Sequence, residues 1–124
     1  MVTYNEYLKK ILNQILDSYN TLREMDEKKE DLDIIKKEML KINGFIKVVV
    51  RKIDSDKITS PDFMKVQSKF QQYLDNYFFE KEIETMAPLY SNDLSRVKNM
   101  RLKIMEALGG EKMMEKIREL MEKI

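Results

Sequence analysis

The side chains able to do chemistry in this sequence are carboxylates, phenols, ammonium and guanidinium groups and thioethers, because it contains no His and no Cys. Those two absences remove the thiolate nucleophile, the disulfide, the Ser-His-Asp triad, the zinc finger and the imidazole of a haem site. Carboxylates remain as general acids and bases or as ligands for hard cations. Glu80, Glu82, Glu84 and Asp93 gather beside an aromatic segment. Without a His to complete the Glu-x-x-His pattern of di-iron bundles, they read as a solvated acidic face. Asp54-Ser55-Asp56 opens like a calcium loop. Its third ligand position is Ile58, its turn glycine is replaced by Thr59 and its closing acid by Lys65, which excludes an EF-hand. The expectation is a chain that is not an enzyme and uses no metal and no cofactor.

Arg96, Lys98, Arg101 and Lys103 form the most basic stretch. At helical spacing Arg96 and Lys103 share a face, which either touches phosphates or an acidic partner or is an ordinary solvent face. The whole chain has 23 Lys+Arg against 22 Asp+Glu, a formal charge of +1, so it carries no overall electrostatic footprint for DNA, RNA or anionic lipid. Gly109-Gly110 between two helical stretches suggests a helix-turn-helix. The second stretch, residues 111–123, has as many acids as bases, which argues against DNA reading. Nucleic acid is therefore not an expected partner of this chain by itself.

What stands out is adhesive surface. Phe63, Phe70, Tyr73, Tyr77, Phe78, Phe79 and Tyr90 lie close together, with Met64, Met86, Met100, Met105, Met113, Met114 and Met121 nearby. Aromatic rings and thioethers adapt to irregular apolar ligands, and several phenols around one cavity would orient one. Two readings stand: the lining of a ligand cleft, or the core of a helical domain.

These residues must be positioned by helices. The chain of 124 residues is one domain in size, 43% hydrophobic and 36% charged, and three Gly and two Pro are too few turn-formers for a many-stranded sandwich. Thr3 and Glu6 form a capping box, after which Leu8, Ile11, Leu12, Ile15, Leu16, Tyr19, Leu22 and Met25 predict a helix over 3–27. Residues 26–31 read as a solvated junction. Leu32 to Ile53 predicts a second helix, although Val48-Val49-Val50 favours a strand and Gly44 weakens a helix interior. Ser60-Pro61-Asp62 starts a third helix whose aromatic face ends in Tyr77-Phe78-Phe79. A short helix over 80–90 is disturbed by Pro88, Asp93 caps another through Leu108, Gly109-Gly110 stops it, and residues 111–123 form the last. The fold class is all-α, a single compact bundle of five to six helices over 1–124. The apolar stripe of residues 1–30 belongs either to that bundle or to a homodimer seam.

The longest apolar run, residues 44–50, is interrupted by Lys47 and far shorter than the roughly 18 residues a membrane span needs, so no membrane association is expected. Residues 1–6 lack the basic-then-apolar pattern of a signal peptide, and the expected compartment is the cytoplasm.

From Asp31 onward the order of landmarks resembles the TipAS-type antibiotic-recognition domain, the helical effector module of some MerR-like multidrug regulators. Asp31-Leu32 with Ile35 and Glu38 matches its acid-led helix start, Ser60-Pro61 its Ser-Pro start, and Leu74-Asp75-Asn76-Tyr77-Phe78 its aliphatic-Asp-x-aromatic-aromatic segment. Met86, Leu89-Tyr90 and Asp93 match its Met-rich turn, and Gly109-Gly110 with Met113 to Met121 its last helix. Over residues 31–124 the resemblance implies a globin-like arrangement with a deep cleft for thiopeptides or other bulky hydrophobic drugs. The sequence departs from the family in lacking its usual His and Trp, and in Leu32 and Tyr77. It also lacks the cysteine through which the founding member captures thiopeptides, so only reversible binding is implied. No winged DNA-binding head is present, and a role in transcription regulation would need another chain.

The expected function is therefore non-catalytic binding of a bulky hydrophobic small molecule, for drug sensing or sequestration, with Phe70, Tyr73, Tyr77, Phe78, Met86 and Tyr90 as its ligand-binding residues. The alternative is a helical adaptor or regulator that acts by protein–protein interaction.

Overall fold

Apolar residues spaced by three and four produce helices wherever they occur in this chain, and a local cap marks most of the starts. A computed structural model describes residues 3–25, 30–58 and 60–124, which contain six α-helices and no strand. Helix α1 (Tyr4–Glu24) begins with the reciprocal capping box, Thr3 Oγ1 accepting from the Glu6 N–H and the Glu6 carboxylate from the Thr3 N–H. Helix α2 (Leu32–Arg51) is capped by Asp31, whose carboxylate accepts from the Asp33 and Ile34 amides. Its valines stay helical because Ile42, Ile46, Val49 and Ile53 fall on one buried stripe, and tertiary burial outweighs the small β preference of the residues. A 3-10 turn at Ser55–Lys57, capped by Asp54, leads to α3 (Asp62–Asn76). The Ser60 hydroxyl accepts from the Asp62 amide, with Pro61 at the entry.

Two boundaries differ from expectation. Helix α3 stops at Asn76 rather than running through Phe79, and Tyr77, extended at φ −130° and ψ 139°, forms a non-helical step with Phe78, at φ −132° and ψ 56°. Helix α4 (Phe79–Tyr90) carries Pro88 without interruption, because the proline falls in the last turn on an exposed stretch where water can replace the missing donor. Helices α5 (Leu94–Ala107) and α6 (Gly110–Lys123) follow. They are joined by Gly109 at φ 98°, where a Cβ would stand 2.6 Å from the Met113 Cβ.

Helix α2 is the hub of the bundle, packing on α1, α3, α4 and α5, while α6 closes it against α1, α3 and α5. One apolar core runs through all six helices. Leu8, Leu12, Ile15, Tyr19 and Leu22 of α1 are buried in it, so the stripe considered as a dimer seam is filled by this chain's own helices. Of the expected junction at 26–31, residues 26–29 lie outside the described residues. Glu30 corrects the solvated reading, because its side chain is only 9% exposed and ion-paired to Arg101. No helix among the described residues is long and apolar enough to cross a membrane.

Candidate functional site: the groove between α4 and α5

The non-helical step at Tyr77 and Phe78 sends neighbouring aromatic rings in different directions. On one side Tyr77 stacks on Phe79, centroids 5.2 Å apart, and both flank Tyr73 at 5.8 and 6.2 Å. Tyr73 is anchored there by its hydroxyl, which donates to Asn43 Oδ1 at 2.6 Å, while Asn43 Nδ2 donates to the Met39 sulfur at 3.0 Å. Burial pushes the Tyr73 phenol pKa well above its ordinary value. On the other side Phe78 is 68% exposed and overhangs the cleft between α4 and α5.

That cleft is an open groove of about 600 Å³. Phe78, Met86, Leu89 and Tyr90 line it from the α4 side and Arg96, Asn99, Met100 and Lys103 from α5, with Lys81, Glu82 and Thr85 along the α4 rim. Its polar groups are partly paired. Lys103 Nζ lies 2.9 Å from Glu82 Oε1, and the Arg96 guanidinium lies 3.9 Å above the Tyr90 ring with its Nε 3.3 Å from Asp93. Asp93 also caps α5 by accepting from the Arg96 amide. A second groove of about 530 Å³ lies behind Phe78, where Tyr73, Tyr77 and Phe79 meet Asn43, Lys47 and Arg51 of α2.

The six residues expected to share one deep cleft are thus divided. Phe78, Met86 and Tyr90 line the α4–α5 groove. Tyr77 lies at the second groove, and Tyr73 reaches it only from the core, at 4% exposure. Phe70 is core and lines neither, a correction that follows from its place in the buried row Phe63, Val66, Phe70 and Tyr73. Both grooves are open surface features rather than an enclosed cleft, because a helix break at Tyr77 leaves Phe78 as a ridge between them.

The basic stretch is divided in the same way. Arg96 and Lys103 do share the groove face, but Arg101 belongs to the opposite side. It is 1% exposed, its Nε contacts both Glu30 oxygens at 3.0 and 3.1 Å, and its NH1 donates to the Leu22 carbonyl at 3.0 Å. The signal that finds it in sequence is its register: Val97, Arg101, Ile104 and Leu108 repeat the apolar spacing of α5. Among the acids singled out, Glu82 and Asp93 are engaged as above, whereas Glu80 and Glu84 are exposed at the second groove. No group of three carboxylates among the described residues is placed to hold a metal ion. An apolar floor with a few oriented polar groups is suited to binding. The chain matches no protein-family model, no curated protein and no solved structure.

Proposed function

We propose that this chain is a non-catalytic helical binding module that holds a bulky hydrophobic small molecule, reversibly, in the groove between α4 and α5. The observation that carries this reading is Phe78, a large ring left 68% exposed beside the methionine-lined floor of a 600 Å³ groove. That volume lies within the range of small-molecule sites, and thioethers suit ligands of irregular shape. The resemblance to antibiotic-recognition domains supports this choice of ligand class, and the size of the groove is compatible with it.

The test is a thermal-shift screen against thiopeptides, bulky aromatic ions of either charge and fatty acids. A ligand at 100 times its Kd stabilises the folded state by about 2.7 kcal/mol, a rise of roughly 8–15 °C for a chain of this size. Phe78→Ala, which alters an exposed side chain, is expected to remove most of that rise while leaving the unliganded midpoint in place. A screen without any saturable shift overturns the reading.

A second reading, a helical adaptor, is favoured by one different observation. Phe78, Glu82, Thr85 and Leu89 stand along one edge of α4 at spacings of four, three and four, with Leu89 itself 73% exposed. A row of this kind can be covered by an amphipathic helix of another protein.

A further inference from the structure

We infer that the ligand of the α4–α5 groove is an aromatic acid, with its anionic group on Arg96 and its ring body extending over Met86 and Met100 towards Phe78. This rests on the proposed function, and goes beyond it in naming the charge and polarity of the ligand.

Three cations line the groove, Lys81, Arg96 and Lys103, against a single carboxylate, Glu82. Glu82 is already engaged by Lys103 at 2.9 Å. With Asp93, which pairs with Arg96, counted beside Glu82, the groove and its rim carry an excess of one positive charge. Arg96 is the prepared one of the three. Its plane rests on the Tyr90 ring at 3.9 Å and its Nε faces Asp93 at 3.3 Å, so the guanidinium is oriented before any ligand arrives. Its two terminal nitrogens have no hydrogen-bond acceptor among the described residues, and they form the fork that a carboxylate or sulfonate accepts from in parallel.

Position adds a polarity. Arg96 lies beside Tyr90 at the end where α4 turns into α5, and Phe78 lies at the other end of α4. A helix of this length spans about 18 Å, enough for a fused or extended aromatic body along the methionine floor. Lys81, whose ammonium has no ion-pair partner among the described residues, adds positive potential at the rim. A cationic ligand would find both carboxylates, Glu82 and Asp93, already paired, and would meet the Lys81 ammonium and the open side of the Arg96 guanidinium. A neutral one would cover the Arg96 fork without pairing it, leaving desolvated donors unsatisfied.

The experiment compares two fluorescent probes that share one body: 8-anilinonaphthalene-1-sulfonate, and N-phenyl-1-naphthylamine, which lacks the sulfonate. The sulfonate is expected to bind at least tenfold tighter, with the advantage narrowing as salt is raised. Arg96→Gln is expected to bring the sulfonate down to the affinity of the amine and to leave the amine within about twofold. Arg96→Lys, which keeps the charge and loses the fork, should fall between. Phe78→Ala is expected to weaken both probes. Equal affinities for the two probes, or a sulfonate preference that survives Arg96→Gln, overturns the anionic-ligand inference while the groove remains a binding site. If neither probe binds, or neither responds to Phe78→Ala, the proposed function fails and the inference with it. Circular dichroism of each variant verifies that the helices are retained.

Discussion

Tyr73 and Arg101 are both buried polar residues, and each is tolerated because its polar atoms have partners. The Tyr73 hydroxyl has Asn43, and the phenol is held neutral by burial. Tyr73→Phe leaves Asn43 Oδ1 without its donor and is expected to cost about 1 kcal/mol at neutral pH. The pH dependence has a definite sign. The folded phenol pKa is raised, so its contribution is complete below the unfolded value near 10 and is lost as pH rises above it, by up to about 1.4 kcal/mol per pH unit. The deficit of Tyr73→Phe should therefore shrink between pH 9 and pH 11 in parallel urea titrations, and a deficit that grows would contradict the assignment. Arg101 is the costlier residue to remove. Arg101→Met strands the Glu30 carboxylate, 9% exposed, and takes a donor from the Leu22 carbonyl. A loss on the order of 3–5 kcal/mol is expected in urea unfolding, with a large part recovered in the Glu30→Leu/Arg101→Met double variant. Composition pointed to Arg101 as one of four surface bases, and only its register with Val97 and Ile104 marked it as inward-facing.

At the scale of elements, the helices were legible because periodicity and capping act over a few residues. Thr3, Asp31, Asp54 and Asp93 all cap as their types predict. The step at Tyr77 and Phe78 was not legible, since no Gly or Pro marks it and the apolar run continues through Phe79. It coincides with the Tyr73–Tyr77–Phe79 ring cluster and with a tie distant in sequence, from the Tyr73 hydroxyl to Asn43 of α2. Two glycines give contrasting predictions. Gly44 is exposed inside α2 with nothing near its missing Cβ, so Gly44→Ala should raise stability by about 0.5–1 kcal/mol. Gly109 has φ 98° and Met113 2.6 Å from its would-be Cβ. Gly109→Ala should lower stability by about 2 kcal/mol or more, and thermal denaturation of the pair measures both.

For the whole molecule, the long apolar stripe of α1 is the feature whose role changes most between sequence and structure. Because Leu8, Leu12, Ile15, Tyr19 and Leu22 are covered by other helices of the same chain, folding does not need a second copy to bury them. The thermal midpoint is expected to be constant over a hundredfold range of protein concentration, and a midpoint that rises with concentration would show that the stripe is completed between chains. Charge pairs between helices distant in sequence, Arg23 with Glu111 at 2.9 Å and Lys123 with Asp62 at 2.6 Å, add ties across the bundle surface, where they contribute little to stability. The all-α class, the helix positions, most of the caps and the lack of thiol and imidazole chemistry follow from residue types and their local spacing. The first three depend on interactions within a turn or two of chain, and the last on composition alone. The grouping of the aromatic residues followed a different rule. Phe70 became core, Tyr73 an anchored core phenol, and Phe78 with Met86 and Tyr90 a groove wall facing Arg96, because the direction of each ring depends on a helix break and on contacts between α2, α3, α4 and α5 that no local pattern encodes.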